Sequence, residues 1–109
     1  MAYSCDMTTD LALAREYRRR AEAALPDRIA KVVVIGSRAR GNARPDSDWD
    51  IVVFVNGDVG VAEGNTLSAV GMDLFYETGA QVQTIALPAE RERERTFFME
   101  DVRTEGVVV

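Results

Sequence analysis

The sequence predicts a small α/β domain of the α+β kind, in which helices pack against a mixed sheet of three or four strands. Two β-branched runs, at residues 29–35 and 50–55, are short and apolar enough to be buried strands. They are separated and followed by segments whose apolar residues recur at helical spacing. With 109 residues, 47% of them hydrophobic, the chain can build one core. We therefore predict a flexible leader at residues 1–8 and a single domain over residues 9–109.

The first helix is predicted over residues 10–25 and ends at Pro26. Leu13, Tyr17 and Ala21 recur at a spacing of four and define one apolar face. The three arginines at residues 18–20 point in three directions around a helix, which indicates a solvated face rather than a nucleic-acid patch.

The central part of the chain joins the two β-branched runs through a polar connection. The first run stops at Gly36, and residues 37–43 are predicted to form one or two helical turns with Ser37 as the N-cap. The second run stops at Asn56 and Gly57, a turn dipeptide. Residues 56–65 hold three glycines and are predicted to form a mobile loop. The sequence allows two roles for that loop: it closes over a ligand, or it simply connects two elements.

The last part of the chain is predicted to add a helix, a strand, a helix and an edge strand. Gly79 suits a left-handed helix end, residues 81–87 alternate as a third strand, Pro88 starts a last helix, and Gly106 ends it before an edge strand at residues 107–109. The stripe of the helix before Gly79 consists of Leu67, Val70, Leu74 and Phe75.

Composition limits the chemistry that is open to the protein. The chain has no histidine and a single cysteine, Cys5, so an intrachain disulfide and a zinc site of the usual His/Cys kind are excluded. Carboxylates remain as metal ligands, and they favour hard cations such as Mg²⁺ or Mn²⁺. The net charge of −5 argues against a nucleic-acid platform, and no apolar run has the length of a membrane span. We expect a cytoplasmic protein.

Gly36 and Ser37 form a candidate anion site. A strand that ends in Gly-Ser and opens into a helix presents backbone amide groups, a hydroxyl and the positive end of the helix dipole. By itself, however, Gly-Ser is also a common turn.

Asp48 and Asp50 form a candidate metal site beside that turn. Residues two apart on a strand share a face, and two neighbouring carboxylates repel each other unless a cation lies between them. Favourable turn chemistry accounts for Asp46 and Ser47, but it does not account for Asp50, a charge placed directly before a buried apolar strand. We therefore favour Asp48 and Asp50 as ligands and leave Asp46 to the turn.

These residues carry a family resemblance. Gly36-Ser37, ten intervening residues and then Asp48-Trp49-Asp50 resemble the signature of the DNA polymerase β-like nucleotidyltransferase superfamily. The sequence Gly-Ser-Arg-Ala-Arg-Gly from Gly36, and the ending Arg-Thr-Glu-Gly-Val from Arg103, resemble its minimal nucleotidyltransferase (MNT) branch. The resemblance covers nearly the whole chain.

The resemblance implies a role for each matching residue. Gly36 and Ser37 would hold the β and γ phosphates of ATP or another NTP, and Arg38 and Arg40 would add cationic contacts. Asp48 and Asp50 would bind two Mg²⁺ ions and act in catalysis. The implied reaction transfers a nucleoside monophosphate, most often AMP, to a hydroxyl group. The family's usual third carboxylate is missing, and Gln83 is the expected occupant of its position, with Gln81 next.

The resemblance also implies a partner. Family members of this size often pair, as antitoxins, with a helical HEPN-type toxin and adenylylate a tyrosine on it. The alternative is a nucleotidyltransferase-like module that has lost turnover because Gln83 cannot act as a base, and that neutralises its partner by binding. The sequence leaves the acceptor, the nucleotide base and the oligomeric state open.

Overall fold

The computed structural model describes the backbone of residues 2–44 and 46–109 and the side chains of residues 11–44 and 46–109. It confirms the predicted α/β class. The elements along the chain are α1 (Ala2–Ala24), β1 (Ile29–Ile35), α2 (Ser37–Arg40), β2 (Trp49–Val55), α3 (Val61–Thr78), β3 (Val82–Pro88), a 3₁₀ helix (Ala89–Arg93), α4 (Phe97–Glu105) and β4 (Val107–Val108).

The four strands form one mixed sheet in the order β3-β2-β1-β4. β1 and β2 pair antiparallel, and β2 and β3 pair parallel. β4 pairs antiparallel with β1 and is the predicted edge strand. The ends of β1 and the starts of β2 and β3 therefore meet at the same end of the sheet.

Helices cover the sheet on both faces. α1 and α3 pack on the face that carries Val32, Val34 and Ile51, and α4 packs on the face that carries Val33 and Val52. Both central strands are thus buried on two sides, which is why they are almost wholly β-branched and apolar. In the part of the chain that the structure describes, no helix is both long and apolar enough to cross a membrane.

Tyr17 joins α1 to α3 and to the sheet. Its side chain is 0% exposed, and its hydroxyl donates a hydrogen bond to the Leu67 carbonyl oxygen at 3.1 Å. The same hydroxyl lies 2.9 Å from Thr84 Oγ1 on β3. Burial raises the pKa of Tyr17 to about 12, so the phenol stays neutral.

Replacing Tyr17 with phenylalanine is expected to lower the free energy of unfolding by about 1 kcal/mol, because the Leu67 carbonyl and Thr84 hydroxyl lose a buried partner. Urea denaturation measures the change. Tyr76, which is 77% exposed, is the matched control, and its replacement by phenylalanine should change stability by less than about 0.5 kcal/mol. Equal effects of the two substitutions would contradict the assigned role of the Tyr17 hydroxyl.

Several predicted boundaries were wrong at helix starts. α1 begins at Ala2 rather than at residue 10, because residues 2–9 contain no proline or glycine to stop the helix. The division of residues 1–8 from the domain stays a prediction. α3 begins at Val61, so the predicted loop over residues 56–65 ends five residues early. Glu63 Oε1 accepts a hydrogen bond from the Gly60 backbone amide at 2.8 Å, and this capping contact starts the helix.

The shortened loop is attached to the domain. Arg28 donates hydrogen bonds to the carbonyl oxygens of Asn56 at 2.6 Å and Asp58 at 2.7 Å. These contacts support a connecting role for the loop.

One last helix was predicted to start at Pro88, but the structure has two separate elements there, the 3₁₀ helix and α4. The 3₁₀ helix ends at Arg93, and α4 starts afresh behind Thr96, whose hydroxyl accepts a hydrogen bond from the Met99 amide at 3.1 Å. Arg103 donates hydrogen bonds to the carbonyl oxygens of Glu92 and Glu94, so these two groups are satisfied although the 3₁₀ helix does not continue into α4. Gly106 ends α4 as predicted.

Candidate active site

The two halves of the motif meet at one end of the sheet. Gly36 directly follows β1, and Asp50 is the second residue of β2. Because the strands are antiparallel, Ile35 at the end of β1 pairs with Asp50 at the start of β2. The Gly-Ser turn and the aspartate pair, which are separated by ten intervening residues, are therefore neighbours in space.

Gly36 lies against the carboxylate of Asp50. Its φ of 76° and ψ of −153° belong to a backbone region that only glycine adopts readily. A Cβ atom added there would lie 2.8 Å from Asp50 Oδ2. Glycine is thus required at position 36 for two reasons: the backbone conformation of the turn and the close approach of the carboxylate.

Gly36 is also the N-cap of α2, so the prediction of Ser37 in that position was wrong. Ser37 is the first helical residue, and the Gly36 carbonyl accepts hydrogen bonds from the amides of Ala39 and Arg40, both at 3.1 Å. The left-handed φ of Gly36 lets the chain turn one residue earlier than a serine cap would.

Replacing Gly36 with alanine is expected to cost about 2 kcal/mol in unfolding free energy, because alanine is strained at a φ of 76°. The new Cβ would also lie 2.8 Å from Asp50 Oδ2, so the Asp50 carboxylate should be displaced. Gly41 is the matched control: its φ is 78°, but a Cβ there meets nothing within 4 Å. Chemical denaturation and Mn²⁺ binding should separate the variants. Gly41→Ala should lose some stability and keep Mn²⁺ affinity, whereas Gly36→Ala should lose both. Unchanged Mn²⁺ affinity in Gly36→Ala would contradict the claim that Gly36 positions the Asp50 carboxylate in a metal site.

Asp48 and Asp50 interact electrostatically. Burial raises the pKa of Asp50 above its ordinary value, and the negative charge of Asp48 raises that pKa further. Asp50 is half-buried and Asp48 is exposed. A cation between the two carboxylates would remove the repulsion that the raised pKa records.

Gln83 lies beside Asp50 in the sheet. The parallel register of β2 and β3 pairs the two residues, so their side chains leave the same face. Gln81 precedes β3, and its carbonyl oxygen accepts a hydrogen bond from the Trp49 amide at 2.8 Å. Among the described residues, no group of three or more His, Cys, Asp or Glu side chains is placed to hold a metal. The site so far comprises two carboxylates and one amide.

Trp49, between the two aspartates, is a site residue that the sequence reasoning missed. Its side chain is 3% exposed and belongs to the core on the α1 and α3 face, opposite to Asp50. The Arg38 guanidinium Cζ lies 4.6 Å from the centroid of the Trp49 ring. Arg38 Nη2 also donates a hydrogen bond to the Ser47 carbonyl oxygen at 2.9 Å. The signal for Trp49 in the sequence was a large apolar residue between two charged residues at the start of a predicted strand.

Arg40 and Asp46 have different surroundings. Arg40 Nη1 lies 3.6 Å from Glu105 Oε1 at the end of α4, and both side chains are about half exposed. Asp46 is exposed in the turn before β2. In that turn the Ser47 amide donates to the Arg44 carbonyl at 2.9 Å, and Ser47 Oγ accepts from the Arg44 amide at 2.8 Å. These bonds support the turn interpretation of that segment.

Comparison with known proteins identifies the family. A family model described as "Nucleotidyltransferase domain" matches residues 14–107 of the chain. The chain belongs to the nucleotidyltransferase domain family. The matched segment of this nucleotidyltransferase domain includes both halves of the motif and all four strands except the last residue of β4. No curated protein matches the chain in sequence.

Solved structures share the fold of the nucleotidyltransferase domain. A nucleotidyltransferase candidate from Sulfolobus solfataricus is 25% identical, with a TM-score of 0.64 over 94% of this chain and 80% of its own. A toxin–antitoxin complex crystallised with AMP-PNP is 15% identical, with a TM-score of 0.61 over 84% and 68% of the two chains. A mutant of the toxin–antitoxin pair MntA–HpeT is 14% identical, with a TM-score of 0.60 over the same shares. These neighbours show that the chain shares the fold of solved nucleotidyltransferases.

The residues of the candidate site suit a hard divalent cation bound with a nucleotide. Two carboxylates whose charges repel and one neighbouring amide oxygen are oxygen ligands of the kind that Mg²⁺ and Mn²⁺ prefer. The close approach that Gly36 allows leaves Asp50 next to the turn where phosphate oxygens would be received. Asp48 and Asp50 would therefore hold the metal, and the turn at Gly36 would receive the phosphates.

Proposed function

We propose that this protein is a metal-dependent nucleotidyltransferase that transfers AMP from ATP to a hydroxyl group of a partner protein. The observation that carries the proposal is the contact of the Asp50 carboxylate with Gly36, beside the charge of Asp48. This contact joins the Gly-Ser turn, which we propose binds phosphate, to the pair of aspartates. Membership of the nucleotidyltransferase family supports the type of reaction.

Each site residue has a proposed role in that reaction. Asp48 and Asp50 would hold Mg²⁺ or Mn²⁺, which when bound neutralises phosphate charge and polarises the α-phosphorus. Gly36 and Ser37 would bind the β and γ phosphates. Arg38 and Arg40, on the helical turn that follows, would add two positive charges near the triphosphate.

The acceptor oxygen attacks the α-phosphorus in the proposed step. The new bond joins that oxygen to phosphorus, the bond from phosphorus to the oxygen shared with the β phosphate breaks, and pyrophosphate leaves. The hydroxyl proton passes to water or to a base of the partner, because the Gln83 amide cannot accept it. Turnover is therefore expected to be slow.

The proposed partner is a HEPN-type helical toxin, with a tyrosine hydroxyl as the acceptor. Structural neighbours that are toxin–antitoxin complexes, one of them with AMP-PNP, support a protein partner and an adenine nucleotide. The proposed location is the cytoplasm, where ATP is supplied.

The test is transfer of label from α-labelled ATP to the product of a neighbouring gene. With Mg²⁺ present, the wild-type protein should label the partner, and a Tyr→Phe variant of the acceptor should stay unlabelled. The double variant Asp48→Asn/Asp50→Asn should transfer nothing. Absence of label with wild-type protein, or equal labelling by the double variant, would contradict the proposal.

The amide of Gln83, in place of a third carboxylate, favours a second candidate function, which is binding of a partner without catalysis. A domain without the third carboxylate can still neutralise a partner through its surface without turnover. Growth rescue of cells that express the partner distinguishes the two functions. A double variant Asp48→Asn/Asp50→Asn that neutralises as well as wild type would support binding over catalysis, and a double variant that fails to neutralise but still co-purifies would support catalysis.

A further inference from the structure

Arg38 connects the two halves of the site through its own side chain. It leaves the single turn of α2, and its guanidinium contacts the segment that leads into β2. One contact is the stack over the Trp49 ring, at 4.6 Å from Cζ to the centroid. The second is the hydrogen bond from Nη2 to the Ser47 carbonyl oxygen, at 2.9 Å. These contacts flank Asp48 on both sides along the chain.

The Trp49 ring and the two carboxylates are mechanically linked. The side chains of Trp49 and Asp50 point to opposite faces of the sheet, and the Trp49 ring is buried in the core against α1 and α3. Its backbone amide is also bonded to the Gln81 carbonyl. A ring that is clamped between the core and the guanidinium therefore restricts the backbone from which both aspartate side chains project. Ser47, held by the same guanidinium, restricts that backbone on the other side of Asp48.

We propose that Arg38 is a positioning residue that fixes Asp48 and Asp50 for metal binding by clamping Trp49 and Ser47. The inference rests on the proposed function, because it assumes that the aspartates bind a metal. It differs from the role that the family resemblance implies for Arg38, which is a direct contact with the triphosphate.

The two roles of Arg38 predict different effects of its removal on metal affinity in the absence of nucleotide. If Arg38 positions the carboxylates, its removal weakens Mn²⁺ binding. If Arg38 only contacts phosphate, its removal leaves Mn²⁺ binding unchanged or makes it tighter, because a positive charge near the cation has been removed. Mn²⁺ alone, with no nucleotide, is therefore the decisive probe.

The experiment compares Mn²⁺ affinity by calorimetry for the wild-type protein, Arg38→Ala and Arg38→Lys. Arg95→Ala is the matched control, because it removes the same charge from a side chain that is 85% exposed and pairs with Glu100 outside the site. We expect both Arg38 variants to bind Mn²⁺ about 10- to 100-fold more weakly, as found for residues that orient metal ligands. Lysine keeps the charge but lacks the planar group that stacks, so it should not restore affinity. The control should bind as wild type does.

Fluorescence of Trp49, the single tryptophan of the chain, gives a readout that does not depend on metal. Loss of the guanidinium exposes the ring to water, and we expect a shift of its emission to longer wavelength in Arg38→Ala but not in Arg95→Ala. Urea denaturation checks that each variant is folded. If Arg38→Ala does not fold, Arg38→Lys decides between the two roles by its Mn²⁺ affinity.

Wild-type Mn²⁺ affinity in the folded Arg38 variants would overturn the proposal, and so would a wild-type protein that does not bind Mn²⁺. Failure of the proposed function gives a different result. A protein that transfers no label to any partner, but whose Mn²⁺ affinity falls on replacement of Arg38, would retain the positioning role and lose the transferase assignment.

Discussion

Replacement of Asp50 with asparagine is expected to lower the rate of nucleotidyl transfer at least about 1,000-fold, which corresponds to about 4 kcal/mol of transition-state stabilisation. The substitution keeps the size of the side chain and removes the charge that would hold the metal against the triphosphate. Asp50 Oδ2 lies against Gly36. Among the described residues, no third carboxylate is grouped with Asp48 and Asp50 to replace the lost charge. Label transfer from ATP to the partner measures the rate.

Asp46→Asn is the matched control for this prediction. It removes the same charge from the same stretch of chain, but Asp46 is exposed in the turn before β2. Its rate should stay within about threefold of wild type, since only a screened, long-range charge is lost. Equal losses in the two variants would assign the effect to overall charge and contradict a specific role of Asp50.

Replacement of Gln83 with glutamate is expected to raise the rate of transfer about 100-fold. The register of β2 and β3 pairs Gln83 with Asp50, so the new carboxylate would lie next to the two aspartates that we propose bind the metal. There it would supply the missing base or metal ligand, and general-base catalysis typically contributes 10²- to 10⁴-fold. The gain should depend on Asp50 and disappear in the Asp50→Asn background.

Gln81→Glu provides the comparison for this gain. It adds the same charge two residues earlier, before β3 begins, where the backbone is bonded to Trp49. A much smaller gain is expected there. A larger gain at Gln81 than at Gln83 would show that the third position of the site had been assigned to the wrong residue.

The sequence predicted best those features that depend on local pattern. Ile29–Ile35 was predicted at its observed bounds because a β-branched run between turn residues has few alternatives as a buried strand. The edge strand, Gly79 as a left-handed helix end and Gly106 as a helix stop were also confirmed. The resemblance made Gln83 the expected occupant of the third-carboxylate position, which stays a prediction, and the register places Gln83 beside Asp50.

The features that the sequence did not predict depend either on two local signals that favour different structures or on tertiary contacts. The glycines of residues 56–65 suggested a loop, but the capping contact between Glu63 and Gly60 started α3 inside it. The stack of Arg38 on Trp49 joins residues of different elements, and no spacing rule indicates such a pair. For the same reason, the contact between Gly36 and Asp50 became visible only when the antiparallel register of β1 and β2 was known.

The central claim is that Gly36, Asp48 and Asp50 form one site in which a divalent metal and a nucleotide bind together. Calorimetric titration of ATP with and without Mg²⁺ into the wild-type protein and Asp48→Asn tests this claim most directly. Wild type should bind ATP only when Mg²⁺ is present, and Asp48→Asn should lose at least about tenfold in affinity. Equal binding of ATP and Mg²⁺ by the two proteins would contradict the claim.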